Sequence, residues 1–232
     1  MPPSVSVVVP MYNEQPYVER AVSAARDVLE KMGADWEVIV VDDASSDRTG
    51  AIAEELARAD GRVKVVHNLV NRQLGGSLRA GWSRAVKDLI LYTDADLPAD
   101  LGELPRAIHL LEYQQADLLA AYRFDRTAEG WWRGAMAFGY NLMVRALFDL
   151  PVRDVNFAFK LFRRSLLERI VLTSEGSFID AELLLRARHA GAHVIQMGVD
   201  YFPRRHGPSK LSSPAVVAGI VREMARYWGE RR

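Results

Sequence analysis

The chain contains no cysteine, which removes disulfides, thiolate zinc sites and cysteine nucleophiles together and suits a reducing compartment. It also lacks an excess of either charge, with 30 lysines and arginines against 30 aspartates and glutamates. No global basic field draws it to nucleic acid, so any recognition of anions must come from local patches. Long apolar runs are missing too. The most apolar stretch near the C-terminus, 215–221, falls far short of the roughly 20 residues that cross a bilayer. The N-terminus enters the strand-like run 5–9 without a basic segment, an apolar stretch and a cleavage site. A chain that neither spans a membrane nor carries a signal peptide is expected, with a cytoplasmic address. His67, His109, His189 and His193 share no metal-ligand spacing and are read as structural or surface residues. No complete Gly-x-Gly-x-x-Gly follows the first apolar run, which disfavours a dehydrogenase.

What is present is a 232-residue chain with 49% apolar content, ample for a core and read as one domain, 1–232. Val5 to Val9 is a β-branched run ended by Pro10. After it, Val18, Ala21, Val22, Ala25, Leu29 and Met32 recur at helical spacing up to Gly33. Further strands are expected at 36–41, 63–66, 89–92, 117–121, 157–162 and 193–199. Helices are expected after Ser46 or Asp47, over 76–86, within 131–150 and over 178–189. This alternation predicts an α/β fold with a mostly parallel sheet covered on both faces.

In such sheets ligands bind beyond the carboxyl ends of the strands, and the polar clusters of this chain collect there. Pro10-Met11-Tyr12-Asn13-Glu14 follows the first strand, Asp42-Asp43-Ala44-Ser45-Ser46-Asp47 the second, and Asp94-Ala95-Asp96 the fourth. Alternate residues of a strand face one side, so a strand-end Asp-x-Asp can aim two carboxylates at one hard divalent cation carrying substrate phosphates. Alone the motif reads first as a surface turn; three polar strand ends together favour a site. Asp43 suits a nucleobase imide, with Tyr12 against the ring, or it caps a turn. Gln73-Leu74-Gly75-Gly76-Ser77 reads as a phosphate-cradling loop or a plain turn. Arg123, Arg126 and Arg133, and the later cluster Arg204, Arg205, His206 and Lys210, read as solvated charges or as donors to phosphate oxygens, and their place in Gly- and Pro-bearing stretches rather than along a helix face weakens the first reading. Asp180 and Glu182 open a helix, where dipole capping is the first reading and a catalytic base the second.

Pro10-x-Tyr12-Asn13-Glu14, Asp42-Asp43-Ala44-Ser45-x-Asp47, the Leu74-Gly75-Gly76 loop and Asp94-Ala95-Asp96, in this order, resemble the GT-A glycosyltransferases of family 2. Asp154-x-x-x-x-Phe159-Lys160-Leu161-Phe162-Arg163-Arg164 and Arg204-x-x-Gly207-x-Ser209-Lys210 resemble its dolichyl-phosphate mannose and glucose synthase branch. The resemblance implies a nucleotide-sugar half, about 1–121, and an acceptor half, about 122–232. It implies a donor of the GDP-mannose or UDP-glucose type, Mg2+ or Mn2+, inversion at the anomeric carbon and a polyprenyl phosphate acceptor. By position, Pro10, Tyr12, Glu14 and Asp43 would hold the nucleoside with Gly75 and Gly76 nearby. Asp94 and Asp96 would serve ribose, diphosphate and metal. Arg123 and Arg133 would face donor or acceptor phosphates, and Asp154, Arg204, Ser209 and Lys210 would line the phosphate and acceptor side. Pro98 stands where many members carry a Gln metal contact, Ala44 replaces the usual Gly, and Phe157-Ala158 replaces a small residue plus Gly.

A soluble hydroxyl or glycan acceptor is the alternative within the family, and a non-catalytic nucleotide-sugar binder the alternative outside it. A polyprenyl phosphate requires contact with a bilayer or a membrane-protein partner. The segment from Trp131-Trp132-Arg133 to Met143 and the stripe Val216, Val217, Ile220, Val221, Met224, Tyr227 and Trp228 offer interfacial faces or core packing.

Overall fold

The computed structural model describes residues 3–124, 147–203 and 214–230, together with 139, 143 and 144. In chain order the described elements are β1 (Ser4–Met11), α1 (Val18–Lys31), β2 (Asp35–Asp42), α2 (Thr49–Ala59), β3 (Val63–His67), α3 (Gln73–Trp82) and β4 (Leu89–Thr93). They continue as α4 (Leu104–Tyr113), β5 (Leu118–Arg123), β6 (Phe159–Arg163), α5 (Ile179–His189), β7 (Val194–Val199) and α6 (Pro214–Glu230). The strands form one sheet in the order β3-β2-β1-β4-β6-β5-β7. Every neighbouring pair is parallel except β6, which runs antiparallel between β4 and β5.

The strands form because their residues suit burial on both faces. Val5, Val7, Val8 and Val9 in β1 and Val38 to Val41 in β2 are fully buried, as are Ile90 and Leu91 in β4. Such β-branched runs are what a doubly covered parallel sheet requires. One face packs against α1, whose Val18, Ala21, Val22, Ala25 and Leu29 make the expected stripe, and against Leu104, Ala107, Ile108 and Leu111 of α4. The other face packs against Leu78 and Trp82 of α3, Leu183 and Leu184 of α5, and Met224 and Tyr227 of α6. Truncating one such side chain, as in Leu91→Ala, costs about 2–5 kcal/mol in cores of this kind. Gly33, at φ 60°, terminates α1 in the left-handed conformation that glycine tolerates best.

The chain lays β2 and β3 to one side of β1 and β4 to the other. The order therefore reverses between β1 and β4, and the crevice beyond their carboxyl ends is where an open α/β sheet takes its ligand. Strands from both expected halves share the sheet, because β6 inserts between β4 and β5 and β7 pairs with β5.

The strand expected at 89–92 runs to Thr93, and beyond it Leu97 N–H donates to the Asp94 carbonyl at 3.1 Å, so the Asp-x-Asp pair lies in a tight turn and strand alternation does not set its direction. Other expectations need correction. Gln73 to Ser77 is not a loop but the first part of α3. The stripe of α6 divides between core and surface: Met224 and Tyr227 are buried, Val216 and Ile220 half-buried, and Val221 and Trp228 exposed. Most of the 131–150 helix expected to overlie the site, with Arg126 and Arg133, lies outside the described residues, as do Arg204, Arg205, His206, Ser209 and Lys210. No helix among the described residues is long and apolar enough to cross a membrane.

Candidate active site

The loops after β1 and β2 are stitched to one another. Asn13, at φ 51°, donates its N–H to Ser45 Oγ at 2.9 Å, and its Oδ1 accepts from Ser46 N–H at 2.8 Å. Glu14 N–H donates to Thr49 Oγ1 at 2.9 Å, while Asp47 Oδ1 accepts from Thr49 N–H at 2.9 Å at the start of α2. Asp42 accepts from Ser45 N–H through Oδ1 and meets His67 Nδ1 at 3.0 Å through Oδ2. Burial pulls the His67 pKa down, but the bonds to Asp42 and Glu54 outweigh it and leave the imidazole above its ordinary value. Ala44 sits in this corner at φ 58°, which explains physically why glycine suits the position.

Asp43 is neither cap nor simple turn. It is buried, its N–H donates to the Met11 carbonyl at 2.8 Å, and its Oδ1 accepts from Asn68 Nδ2 at 2.7 Å and Arg72 N–H at 2.8 Å. Both protein donors fall on Oδ1, so Oδ2 is the oxygen left to meet a ligand. Tyr12 stays exposed beside the same loop, while Glu14 is buried and Pro10 pairs with Val41 in the last part of the β1·β2 ladder.

Gly75 and Gly76 do a different job from the cradle expected of them. Their N–H groups donate to the Glu175 carbonyl at 2.7 and 3.1 Å, and a Cβ on Gly75 would collide with the backbone of Ser174 and Glu175. Glycine is needed there because a second chain segment crosses the helix start, and the amides are occupied. That segment is anchored throughout. Glu182 accepts from Thr173 and Ser174 N–H, Glu223 accepts from Glu175 and Gly176 N–H at 2.8 Å each, and the Glu175 carboxylate pairs with Arg72 and Arg79. Glu182 is thus a buried structural acceptor, neither a dipole cap nor a base with a free proton site.

The third group follows β4. Asp94 and Asp96 are both partly buried, and Tyr92 Oη donates to Asp94 Oδ1 at 3.0 Å. Burial first, then the charges of Asp96 and Asp180, push the Asp94 carboxyl up to about 7. Asp180 belongs to this centre, which its position at a helix start concealed. Its Oδ1 accepts from Lys160 Nζ, itself fully buried in β6 and also donating to the Phe157 carbonyl at 2.9 Å. A lysine inside the apolar run 157–162 was the available signal, since a buried ammonium needs a carboxylate partner. Burial pushes Asp180 up, against the pull of Lys160.

Arg123 and Asp154, expected in separate roles, meet. Arg123 Nε and Nη2 donate to Asp154 Oδ2 and Oδ1 at 2.7 and 3.0 Å, a bidentate pair with both side chains nearly buried. The guanidinium lies over Phe157 and Tyr201, 5.5 and 5.2 Å from the ring centroids. One edge of the Arg123 fork is therefore committed to protein.

The donor set fits a divalent cation that is also held by phosphate. Among the described residues no cluster of three or more His, Asp or Glu could hold a metal alone. Asp96 stands close enough to Asp94 to help raise its carboxyl, a crowding that a hard cation relieves. Nearby, Asp154 and Asp180 are each paired with a cation, Arg123 and Lys160. Pro98 supplies no side-chain ligand, so phosphate oxygens and water would complete the shell.

Comparison with known proteins agrees with this architecture. Residues 6–171 match the family model described as glycosyl transferase family 2. The glycosyltransferase AglD of Haloferax volcanii is 32% identical over 97% of this chain and 37% of its own length. The undecaprenyl-phosphate 4-deoxy-4-formamido-L-arabinose transferase of Edwardsiella ictaluri is 29% identical over 89% of this chain and 62% of its own. This chain thus spans less than two thirds of either relative. Glucosyl-3-phosphoglycerate synthase from Mycobacterium tuberculosis, in complex with Mn2+, UDP-glucose and phosphoglyceric acid, superposes with a TM-score of 0.73 at 20% identity, covering 96% of this chain and 80% of that one. That likeness concerns the GT-A fold. With a sheet of that type, polar loops at its switch point and a family match over most of its length, the chain belongs to glycosyl transferase family 2.

Proposed function

We propose that this chain transfers one sugar from a nucleoside diphosphate sugar to a polyprenyl phosphate, inverting the anomeric carbon, with Mg2+ or Mn2+ at Asp94 and Asp96. The observation that carries the reading is the pairing of two unlike subsites at one crevice. Asp43 offers a fixed carboxylate oxygen suited to a nucleobase, and the crowded Asp94–Asp96 turn is suited to a metal-bound diphosphate. Tyr12 would lie against the base, with Pro10 and Glu14 shaping the floor. Gly75 and Gly76 would act only through the chain crossing them.

A metal held there would withdraw charge from the departing diphosphate. The residues do the rest. Asp43 orients the nucleoside so that the sugar–phosphate bond lies over the β4 turn. Arg123, braced by Asp154, brings positive charge beside the acceptor phosphate, a role shared in this reading with Arg133, Arg204, Ser209 and Lys210. An acceptor phosphate oxygen attacks the anomeric carbon as the bond to the diphosphate oxygen breaks. The nucleoside diphosphate leaves with the bonding pair. The acceptor is already anionic, so no side chain need remove a proton. This agrees with Asp154, Asp180 and Glu182 all being engaged by protein donors. The lipid acceptor is supported by the undecaprenyl-phosphate transferase relative and places the working protein at the cytoplasmic face of a membrane, by surface contact or through a membrane-protein partner.

The test is a panel of UDP- and GDP-sugars with Mg2+ or Mn2+, with and without polyprenyl phosphate, read by mass spectrometry after solvent extraction. A metal-dependent, lipid-linked monosaccharide is expected. A product confined to the aqueous phase would replace the acceptor assignment, and donor binding without turnover would replace the enzyme by a nucleotide-sugar binder.

A further inference from the structure

Lys160 has no place in the mechanism above, yet it is fully buried in the middle of the sheet. A buried ammonium costs several kcal/mol unless it is paired and hydrogen-bonded, and an apolar pair of similar volume is often as stable. Lys160 is met on three sides. Its Nζ donates to the Phe157 carbonyl at 2.9 Å and to Asp180 Oδ1 at 2.5 Å, and it lies 5.6 Å from the centroid of the Tyr92 ring. Tyr92 is its direct neighbour across the β4·β6 ladder, and the same ring meets Trp82 edge-on with centroids 6.4 Å apart. The ring thus neighbours both an indole and an ammonium, and its hydroxyl donates to Asp94 Oδ1 at 3.0 Å.

We propose that Lys160 is a positioning residue for the metal-and-diphosphate end of the site: anchored on Asp180, it holds the Tyr92 ring so that the phenol hydroxyl fixes Asp94. With Oδ1 held by Tyr92, Oδ2 of Asp94 is the oxygen turned to a cation. An apolar pair at 160 and 180 would fill the same space but leave the ring without its cationic clamp. The sequence position is consistent, since an antiparallel β6 is what brings residue 160 opposite residue 92. Partners that orient a metal ligand in this way typically account for about 10- to 100-fold in metal affinity.

The inference rests on the reading that Asp94 and Asp96 hold the metal, and the experiment separates the two. Mn2+ would be titrated in the presence of UDP and followed by electron paramagnetic resonance, on the wild-type chain and on Asp96→Ala, Tyr92→Phe, Lys160→Met/Asp180→Asn and the triple combination, with thermal melting alongside. The paired neutral substitution leaves no buried charge unpartnered, so its melting point should stay close to that of the wild type. Tyr92→Phe and the paired variant should each weaken Mn2+ binding about 10-fold, and the triple variant no more than either, because they break one linked path. Wild-type Mn2+ affinity in Tyr92→Phe or in the paired variant, or additive losses in the triple variant, would overturn the inference while leaving the site intact. Unchanged Mn2+ binding in Asp96→Ala would remove the site reading and this inference with it.

Discussion

Replacing Asp43 with Asn separates the two oxygens of a residue that holds the loops together and, in the proposed reading, meets the base. The protein donors Asn68 Nδ2 and Arg72 N–H both converge on Oδ1, at 2.7 and 2.8 Å. An Asn side chain at 43 would keep its carbonyl oxygen there, because the flipped amide would set its N–H2 against those donors. The N–H2 would then occupy the Oδ2 position and face the base imide N–H, donor against donor. Stability should change by less than about 1 kcal/mol, since both protein bonds survive. Nucleotide binding should lose a charge-assisted hydrogen bond, about 1.5–3 kcal/mol, or about 10- to 150-fold in Kd. Asp43→Ala is the contrasting variant. Asn68 keeps Ser77 Oγ at 3.3 Å, so the main loss is an orphaned Arg72 N–H, about 1–3 kcal/mol. At about 2–4 °C per kcal/mol for a chain of this size, that is a visible drop in melting temperature. Calorimetric titration with UDP and GDP, paired with thermal melts, distinguishes these outcomes. Equal nucleotide affinity in wild type and Asp43→Asn would refute the assignment of Oδ2 to the base.

Other perturbations follow from the same geometry. Ala44→Gly should raise stability by up to about 1 kcal/mol, because φ 58° costs alanine about 1–2 kcal/mol and glycine gives part of that back as unfolded-state entropy; denaturant melts check it. With Asp94 raised to about 7, a cation must displace its proton at lower pH, so Mn2+ affinity should fall about tenfold per unit from pH 7 to pH 5 and level off above pH 8. A pH-independent affinity would contradict ligation by Asp94. His67 is raised by Asp42 and Glu54, so its contribution to stability is full below its unfolded value near about 6.5 and is lost as pH rises through the folded value. Melting curves of His67→Gln should show a smaller fall between pH 6 and pH 9 than those of the wild type.

Much of the candidate site was legible because its residues lie where apolar runs stop. Val5–Val9, Trp36–Val41 and Leu89–Tyr92 each end in a polar cluster, and the parallel order of β1, β2 and β4 brings those clusters together. What stayed hidden depends on partners distant in sequence. The Gly75-Gly76 signal does not say whether a phosphate or another stretch of backbone approaches, and here the approach is by Ser174 and Glu175. Asp180 looks like an N-terminal dipole residue until β6 is inserted antiparallel and carries Lys160 to it. The Arg123–Asp154 pair likewise joins residues 31 apart, which no local spacing announces. The helix-period stripe of α6 was legible as a pattern but not as a face, because core and interface use the same residues.

The central claim is that one crevice holds a base at Asp43 and a metal-bound diphosphate at Asp94 and Asp96. The most direct test is a crystal structure with Mn2+ and a nucleoside diphosphate, in which anomalous scattering locates the metal. The account predicts a Mn2+ peak in contact with Asp94 Oδ2 and Asp96, bridging to the diphosphate, with the base hydrogen-bonded to Asp43 Oδ2. A metal peak away from that turn, or a base bound elsewhere than Asp43, would contradict it.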